Sequence, residues 1–212
     1  MPSLGPRTRI ALSAGAAVLV ALAVASQLVL PGVAERRIEN RLTEGGGTAD
    51  ASMSAFPAVR LLFDDGARFE VEGEGLDLDV PEERIDLLTR LDGFGDVDVM
   101  LQDSEAGPFE LALFSLTREG DGPYTMRTIA TTSGTDLISF GADRFGFSAA
   151  APILGFLAGR SEEATRRIPI DMDMEMVSED GRLRVTDGGG TVAGYPTGPL
   201  AELIVATIVE RL

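Results

Sequence analysis

From Arg167 to Met176 the chain reads R-I-P-I-D-M-D-M-E-M, with Ile168, Ile170, Met172, Met174 and Met176 alternating strictly with Pro169, Asp171, Asp173 and Glu175. Successive side chains of an extended strand point to opposite faces, so this pattern predicts a strand with one dry and one wet face. Three consecutive inward positions are methionine, an unbranched and polarisable side chain that moulds to irregular surroundings. Such a stripe suits a surface shaped to a variable partner, and it equally suits an ordinary sheet core.

The same period of two returns between Arg68 and Val80. Phe69 and Val71 point inward, then Leu76, Leu78 and Val80, with Glu70, Glu72, Asp77 and Asp79 outward. The phase slips at Gly73-Glu74-Gly75, as a bulge or sharp bend in a long curved strand would require. Further strands are expected at Thr48 to Ser54, Tyr124 to Thr132 and Asp136 to Phe140. Asp96 to Leu101 and Phe109 to Leu116 form a hairpin across D-S-E-A-G-P, the second strand being apolar enough to be covered on both faces. Ser178-Glu179-Asp180-Gly181 turns the methionine strand into Arg182 to Thr186, with Leu183 and Val185 inward.

Helices are expected at Ala34 to Leu42, stopped by Gly45-Gly46-Gly47, and after Pro81-Glu82-Glu83, with Ile85, Leu88 and Leu91 buried. Phe145 to Ala158 reads as a small-residue helix kinked at Pro152. Past a Gly188-Gly189-Gly190 linker, Leu200, Ile204, Ile208 and Leu212 mark an apolar terminal helix.

Ile10 to Leu30 holds 21 residues without a charge, after Arg7 and Arg9 and before Pro31-Gly32. At 1.5 Å per residue it reaches about 31 Å, enough for a bilayer core of roughly 30 Å. The basic pair in front places the N-terminus in the cytoplasm and the remainder outside. Residues 1–32 are therefore an anchor or signal segment and residues 33–212 a single extracytoplasmic domain. Ala23-Val24-Ala25 offers a cleavage site, in which case the domain is secreted to the envelope.

All 18 basic residues are Arg, and without Arg7 and Arg9 the remaining 16 face 34 acids, a net charge of -18. A nucleic-acid surface needs clustered positive charge, so nucleic acid is not a partner. Flat electrostatic adsorption to anionic lipid is disfavoured for the same reason, although a lipid held by its tails is not. The chain has no Cys, no His and no Lys. The usual neutral-pH base, the thiolate nucleophile and the Schiff-base amine are thus missing, which argues against an enzyme. No catalytic residue is named.

Asp171-x-Asp173-x-Glu175 suggests a calcium loop, but the position that needs Gly is Met176, within a strand. Asp77/Asp79 and Asp96/Asp98 repeat the spacing, so an acidic outer face explains it and no metal or cofactor is expected. Gly73-x-Gly75 lacks a third Gly and does not open a helix, so it is no dinucleotide fingerprint.

In the order of its features the chain resembles the LmeA-like family of bacterial, chiefly actinobacterial, cell-envelope phospholipid-binding proteins. The likeness rests on the membrane or signal segment, on A-E-R-R-I-E-N-R-L, and on S-A-F-P-A-V-R-L-L-F-D-D-G, where Phe56, Pro57, Leu61, Leu62 and Gly66 stand at the family's positions. It rests also on R-I-P-I-D-M-D-M-E-M-V-S-E-D-G-R-L-R-V, with Pro169 and Gly181. The terminal apolar helix and the acidic faces depart from the pattern. The resemblance implies an α+β domain in which a curved antiparallel sheet wraps around helices, as in tubular lipid-binding folds, and phospholipid binding in an apolar groove. The groove candidates are Phe69, Val71, Leu76, Leu78, Ile168, Ile170, Met172, Met174 and Met176. A structural or interaction module of the envelope with a filled core and no ligand is the alternative; protein partners are not indicated.

Overall fold

The computed structural model describes residues 6–78, 89–136, 167–179, 182–192 and 195–196, with side chains for 24–78, 90–136, 167–179 and 184–191. Within them the chain is α+β, a long helix α1 (Pro6–Leu42) followed by nine strands of one sheet. The strands are β1 (Thr48–Ser54), β2 (Gly66–Glu74), β3 (Asp77–Leu78), β4 (Phe94–Ala106), β5 (Phe109–Arg118), β6 (Tyr124–Ser133), β7 (Arg167–Glu179), β8 (Arg182–Val192) and β9 (Tyr195–Pro196). They lie in the order β1-β2-β4-β5-β6-β7-β8-β9, with β3 beside β4. The predicted strands at 48–54, 124–132 and 167–176 are all present.

Every neighbouring pair is antiparallel except β2 with β4 and β3 with β4, which run parallel. The sheet is mixed, where an antiparallel one was expected. Chain length explains the difference. Parallel neighbours need a crossover of about a dozen residues or more, and the chain between Leu78 and Phe94 is of that length. Its described end is the short helix α2 (Thr89–Asp92), with Leu91 buried. Residues 79–88, which carry Val80, Ile85 and Leu88, lie outside the described part, as do the expected helices at 145–158 and at the C-terminus.

The phase slip near Gly75 is one end of a crease that crosses three strands. In β2 and β3 the buried positions change from Phe69 and Val71 to Leu76 and Leu78; in β4 they change from Val97, Val99 and Leu101 to Ser104 and Ala106; in β5, from Phe109 and Leu111 to Phe114 and Leu116. Gly75 and Asp103 take left-handed backbone angles, φ 65° and 45°. The register of β5 on β6 shifts between Leu111 and Leu113. Each strand therefore changes its inward parity at the same level, so the ladder between β2, β3 and β4 stays in one register across the bend. Bulged strands bend and twist. Ser104 closes the crease: its hydroxyl donates to the Gln102 carbonyl at 2.7 Å and accepts from the Leu76 N–H at 3.1 Å. In β6 and β7 the inward positions stay even-numbered throughout, from Tyr124 to Thr132 and from Ile168 to Met176.

α1 continues through Pro31 without a break, so the helix expected from Ala34 is the last quarter of a longer one. Proline removes only one i→i−4 bond there. The helix lies along the free edge of β1. Glu39 Oε1 accepts from the Ala51 N–H at 3.3 Å and Glu35 Oε1 accepts from the Met53 N–H at 3.0 Å. Four residues of helix rise about 6 Å and two residues of strand about 6.8 Å, so two carboxylates match two edge amides. About two helical turns before Glu35, Gln27 donates to the Ala55 carbonyl and accepts from the Ala58 N–H, both at 2.8 Å. That side chain pins the 3₁₀ turn Ala58–Phe63, entered through the cis Phe56-Pro57 bond, against the helix. Ala34, Ile38 and Leu42 join the core from the same helix face.

Three other expectations are corrected. The hairpin from β4 to β5 turns at Gly107-Pro108, because D-S-E-A is strand, and β5 is buried on one face only, with Glu110 and Ala112 exposed on the other. Asp136 is helical, not the start of a strand; residues 137–140 lie outside the described part. Gly188-Gly189-Gly190 is strand, not linker. Glycine is needed there because a Cβ on Gly190 would sit 2.5 Å from the Asp171 carbonyl oxygen, and one on Gly188, at φ 84°, 2.4 Å from that of Asp173. Thr186 is the extra residue where the register of β7 on β8 shifts, and Val185 is more than a third exposed where it was expected inward.

Among the residues whose side chains are described, no helix is long and apolar enough to cross a membrane; most of the Ile10 to Leu30 run lies outside them.

Candidate apolar face and its polar points

All nine groove candidates lie on one face of the sheet, and none is more than 5% exposed. Phe69 and Val71 stand on β2 below the crease, where Phe69 meets the Phe94 ring tilted at 58° with centroids 5.2 Å apart. Leu76 and Leu78 stand above it on the link to β3 and on β3 itself. Ile168, Ile170, Met172, Met174 and Met176 stand on β7, in register with Thr132, Ala130, Thr128, Met126 and Tyr124 of β6. β2 and β7 are four strand positions apart in the sheet, about 19 Å if it were flat. The candidates thus form two separate clusters joined by Val97, Val99, Leu101, Phe114, Leu116 and Met126 of the strands between them.

On the opposite face Asp171, Asp173 and Glu175 are exposed, as are Asp77 and Asp96, with Asp98 half-buried. Among the described residues no three acidic side chains converge as metal ligands would.

Among the described residues four polar ones are buried: Ser104, Arg118, Thr128 and Thr132. Ser104 is held in the crease, and Thr132 donates to the Pro108 carbonyl at 2.7 Å. Arg118 occupies an inward position of β5 two residues beyond Leu116, at one end of the strand. Its Nη1 donates to Tyr124 Oη at 2.6 Å and to Asp92 Oδ1 at 3.2 Å, and its Nη2 donates to the Leu91 carbonyl at 3.0 Å and to the Phe94 carbonyl. The guanidinium also lies 4.6 Å from the Tyr124 ring centroid. Tyr124 Oη donates to Asp92 Oδ1 at 2.9 Å, and Ser178 of β7 donates to the other oxygen of Asp92. Burial pushes the Tyr124 phenol well above its ordinary range; the Arg118 charge opposes this, and Asp92 adds to it. The node ties α2, β5, β6 and β7 together at one end of the sheet. Nothing in the sequence signals it, since the strand was expected to be covered on both faces and its inward parity changes at Ala112.

Arg118 leaves its Nε without a partner although both of its terminal nitrogens are bonded, and Thr128 leaves its one polar side-chain atom without any. Thr128 is fully buried in the middle of β6, between Met126 and Ala130, with Phe114 and Met172 as its cross-strand neighbours. Among the described residues its hydroxyl has no hydrogen-bond partner. A buried hydroxyl without a partner costs about 1–3 kcal/mol, and native structures hold few of them. Nothing in the alternation of Tyr124 to Ser133 marks it, because threonine is also a common strand residue.

Comparison of the chain with protein-family models, with curated proteins and with solved structures finds no match in any of the three.

Proposed function

We propose that the chain is a membrane-tethered, extracytoplasmic protein that binds phospholipid, or a related envelope lipid, non-covalently against the apolar face of its sheet, and that it is not an enzyme. The creased sheet would wrap around helices as in tubular lipid-binding folds, in keeping with the resemblance to LmeA-like proteins. Ile10 to Leu30 would hold it in the membrane, N-terminus in the cytoplasm, or direct its secretion to the envelope if cleaved.

The observation that carries this reading is the Thr128 hydroxyl. It is an unpartnered donor in the centre of a face otherwise made of Phe, Leu, Val, Ile and Met. Lipid-holding pockets combine apolar walls with a few placed polar groups, and a phospholipid offers ester carbonyls as acceptors. The three methionines opposite and beside it accommodate tails of different length and unsaturation.

A filled core without ligand has its own support: Met172 and Met176 are fully buried by the chain itself. The two readings separate in one experiment. A chain beginning at Val24, which retains Gln27, Glu35 and Glu39, is purified and weighed by native mass spectrometry before and after incubation with phosphatidylglycerol and phosphatidylcholine vesicles. Lipid binding predicts a phospholipid adduct of defined stoichiometry; a chain that remains bare after incubation refutes it and leaves the filled core.

A further inference from the structure

Among the described residues most of the large exposed apolar side chains lie on α1 and in or beside the 3₁₀ turn that packs on it, with only Met100, Ile129 and Val185 elsewhere. Phe56 is 81% exposed, Phe63 78%, Leu62 64% and Val59 42%, all in or beside the 3₁₀ turn Ala58–Phe63. Beside them on α1, Leu28 is 78% exposed, with Val24, Val29 and Val33 each about half exposed. A single exposed Leu means little, but a contiguous cluster of large apolar residues with two phenylalanines marks an interaction surface.

Two facts say what covers it. Gln27 holds both the Ala55 carbonyl and the Ala58 N–H, so the 3₁₀ turn is fixed at the level of residue 27 of α1. That level lies inside the uncharged run Ile10 to Leu30. The second fact is the change of chemistry along the exposed stripe of α1. Val24, Leu28, Val29 and Val33 give way to Arg36, Arg37, Asn40 and Arg41, all exposed. With Val33 and Glu44 these line an open depression. In a chain of net charge -16, Arg36, Arg37 and Arg41 form no ion pair among the described residues, a state they share only with Arg127 on the outward face of β6, whereas Arg60, Arg68, Arg90, Arg118, Arg167 and Arg184 each have a carboxylate. Arg36 and Arg37 stand about 4.5–6 Å beyond Val33 along the helix. The polar layer outside the hydrocarbon is of that depth, about 5–8 Å per leaflet. Arg41, one turn further out, reaches back along its stem.

We infer that this corner is a bilayer-docking surface: Phe56, Leu62 and Phe63 enter the outer leaflet beside the emerging helix, and Arg36, Arg37 and Arg41 pair with lipid phosphates. The inference rests on the tethered reading of residues 10–30, since that is what brings the corner to a bilayer. It does not depend on whether the sheet binds lipid. The 3₁₀ turn then does more than close a loop. It holds the edge of the sheet at β1 and β2 against the membrane surface, so the sheet is presented at a fixed height over the leaflet while its acidic face is kept off the phosphates.

The chain contains no Trp, so Phe63→Trp and Phe56→Trp each supply a single reporter at an exposed position that folding does not depend on. Ile129→Trp, on the outward face of β6, is the reference. Each full-length variant is reconstituted into vesicles of phosphatidylcholine and phosphatidylglycerol carrying bromines about 5–10 Å below the headgroups. Membrane retention is measured separately by flotation after alkaline wash. The expected result is blue-shifted emission from F63W and F56W, quenched at least about twofold more than I129W, with smaller quenching when Arg36, Arg37 and Arg41 are changed to Gln. Retained chain with all three Trp variants equally unquenched overturns the docking surface and leaves the tether standing. A chain lost on washing overturns the tether; if F63W is then also unquenched before the wash, the docking surface falls with it, and if it is quenched the surface binds bilayer without the helix. Circular dichroism of each variant shows whether it has folded, and F56W reports independently if F63W has not.

Discussion

Thr128→Val tests the apolar face with a change of sign. Threonine and valine have the same branched shape and both suit strands, but the exchange replaces a hydroxyl with a methyl. The hydroxyl is fully buried by the chain itself and, among the described residues, is offered no partner. Its removal abolishes a desolvation cost of about 1–3 kcal/mol, and the added methyl contributes up to about 0.8 kcal/mol more. Lipid-free T128V is therefore expected to be about 2 kcal/mol more stable. For a domain of this size that raises Tm by roughly 4–8 °C, at about 2–4 °C per kcal/mol. In the lipid-loaded state the hydroxyl donates to an ester carbonyl, and losing that bond costs about 1 kcal/mol, or roughly fivefold in affinity. Thermal unfolding of the chain from Val24, with and without phospholipid, measures both. Lipid stabilises the native state by mass action, so the gap between the two curves should narrow in the variant. If lipid-free T128V is instead less stable, the hydroxyl has a native partner and the reasoning fails. If it is more stable and lipid uptake is unchanged, the hydroxyl is no ligand contact.

The edge of the sheet and the Arg118 node each carry a test. Glu35→Ala and Glu39→Ala each strip an acceptor from one half-buried amide of β1, and each should lower unfolding free energy by about 1 kcal/mol in a denaturant titration, with Glu→Gln at either site costing less because a carbonyl acceptor remains. An unchanged midpoint in the double alanine variant would mean that water replaces both carboxylates without cost. For Tyr124, burial raises the folded phenol above its ordinary value. Protonated phenol is thus favoured by folding, and its contribution is complete below about pH 10 and declines as pH rises through that value. Stability should fall above about pH 10 in the wild type and fall less in Tyr124→Phe; parallel pH profiles would show that the phenol titrates freely.

Much of the sheet was legible in the sequence because period-two alternation is a local consequence of strand geometry. Strands at 48–54, 124–132 and 167–176 and the phase slip at Gly75 follow from counting side chains. The bend could be seen only on β2, since Asp103 and Ala112 break the phase of their strands without a glycine to mark the place. The inward direction of the nine candidate residues was legible for the same reason; that of Arg118 was not, because the phase of its strand changes at Ala112. Strand order was not legible. Alternation says which face a residue takes, not which strand lies beside it, so the parallel pairing of β2 and β4 and the distance between the β2 and β7 clusters had no sequence signal.

Gly188 to Gly190 show the same limit from the other side. Three glycines read locally as a linker, and only the close approach of β8 to the backbone of β7 explains why the strand needs Gly188 and Gly190. The sequence by itself determined the polarity of each face, the apolar N-terminal run and the absence of His, Cys and Lys chemistry, because these are properties of residue type and spacing. Tertiary structure decided that Gln27 fixes an apolar turn beside that run, and that Thr128 alone among the four buried polar residues is left with its hydroxyl unpaired. Both are matters of which partners long-range folding brings within hydrogen-bond reach, and no local pattern encodes that.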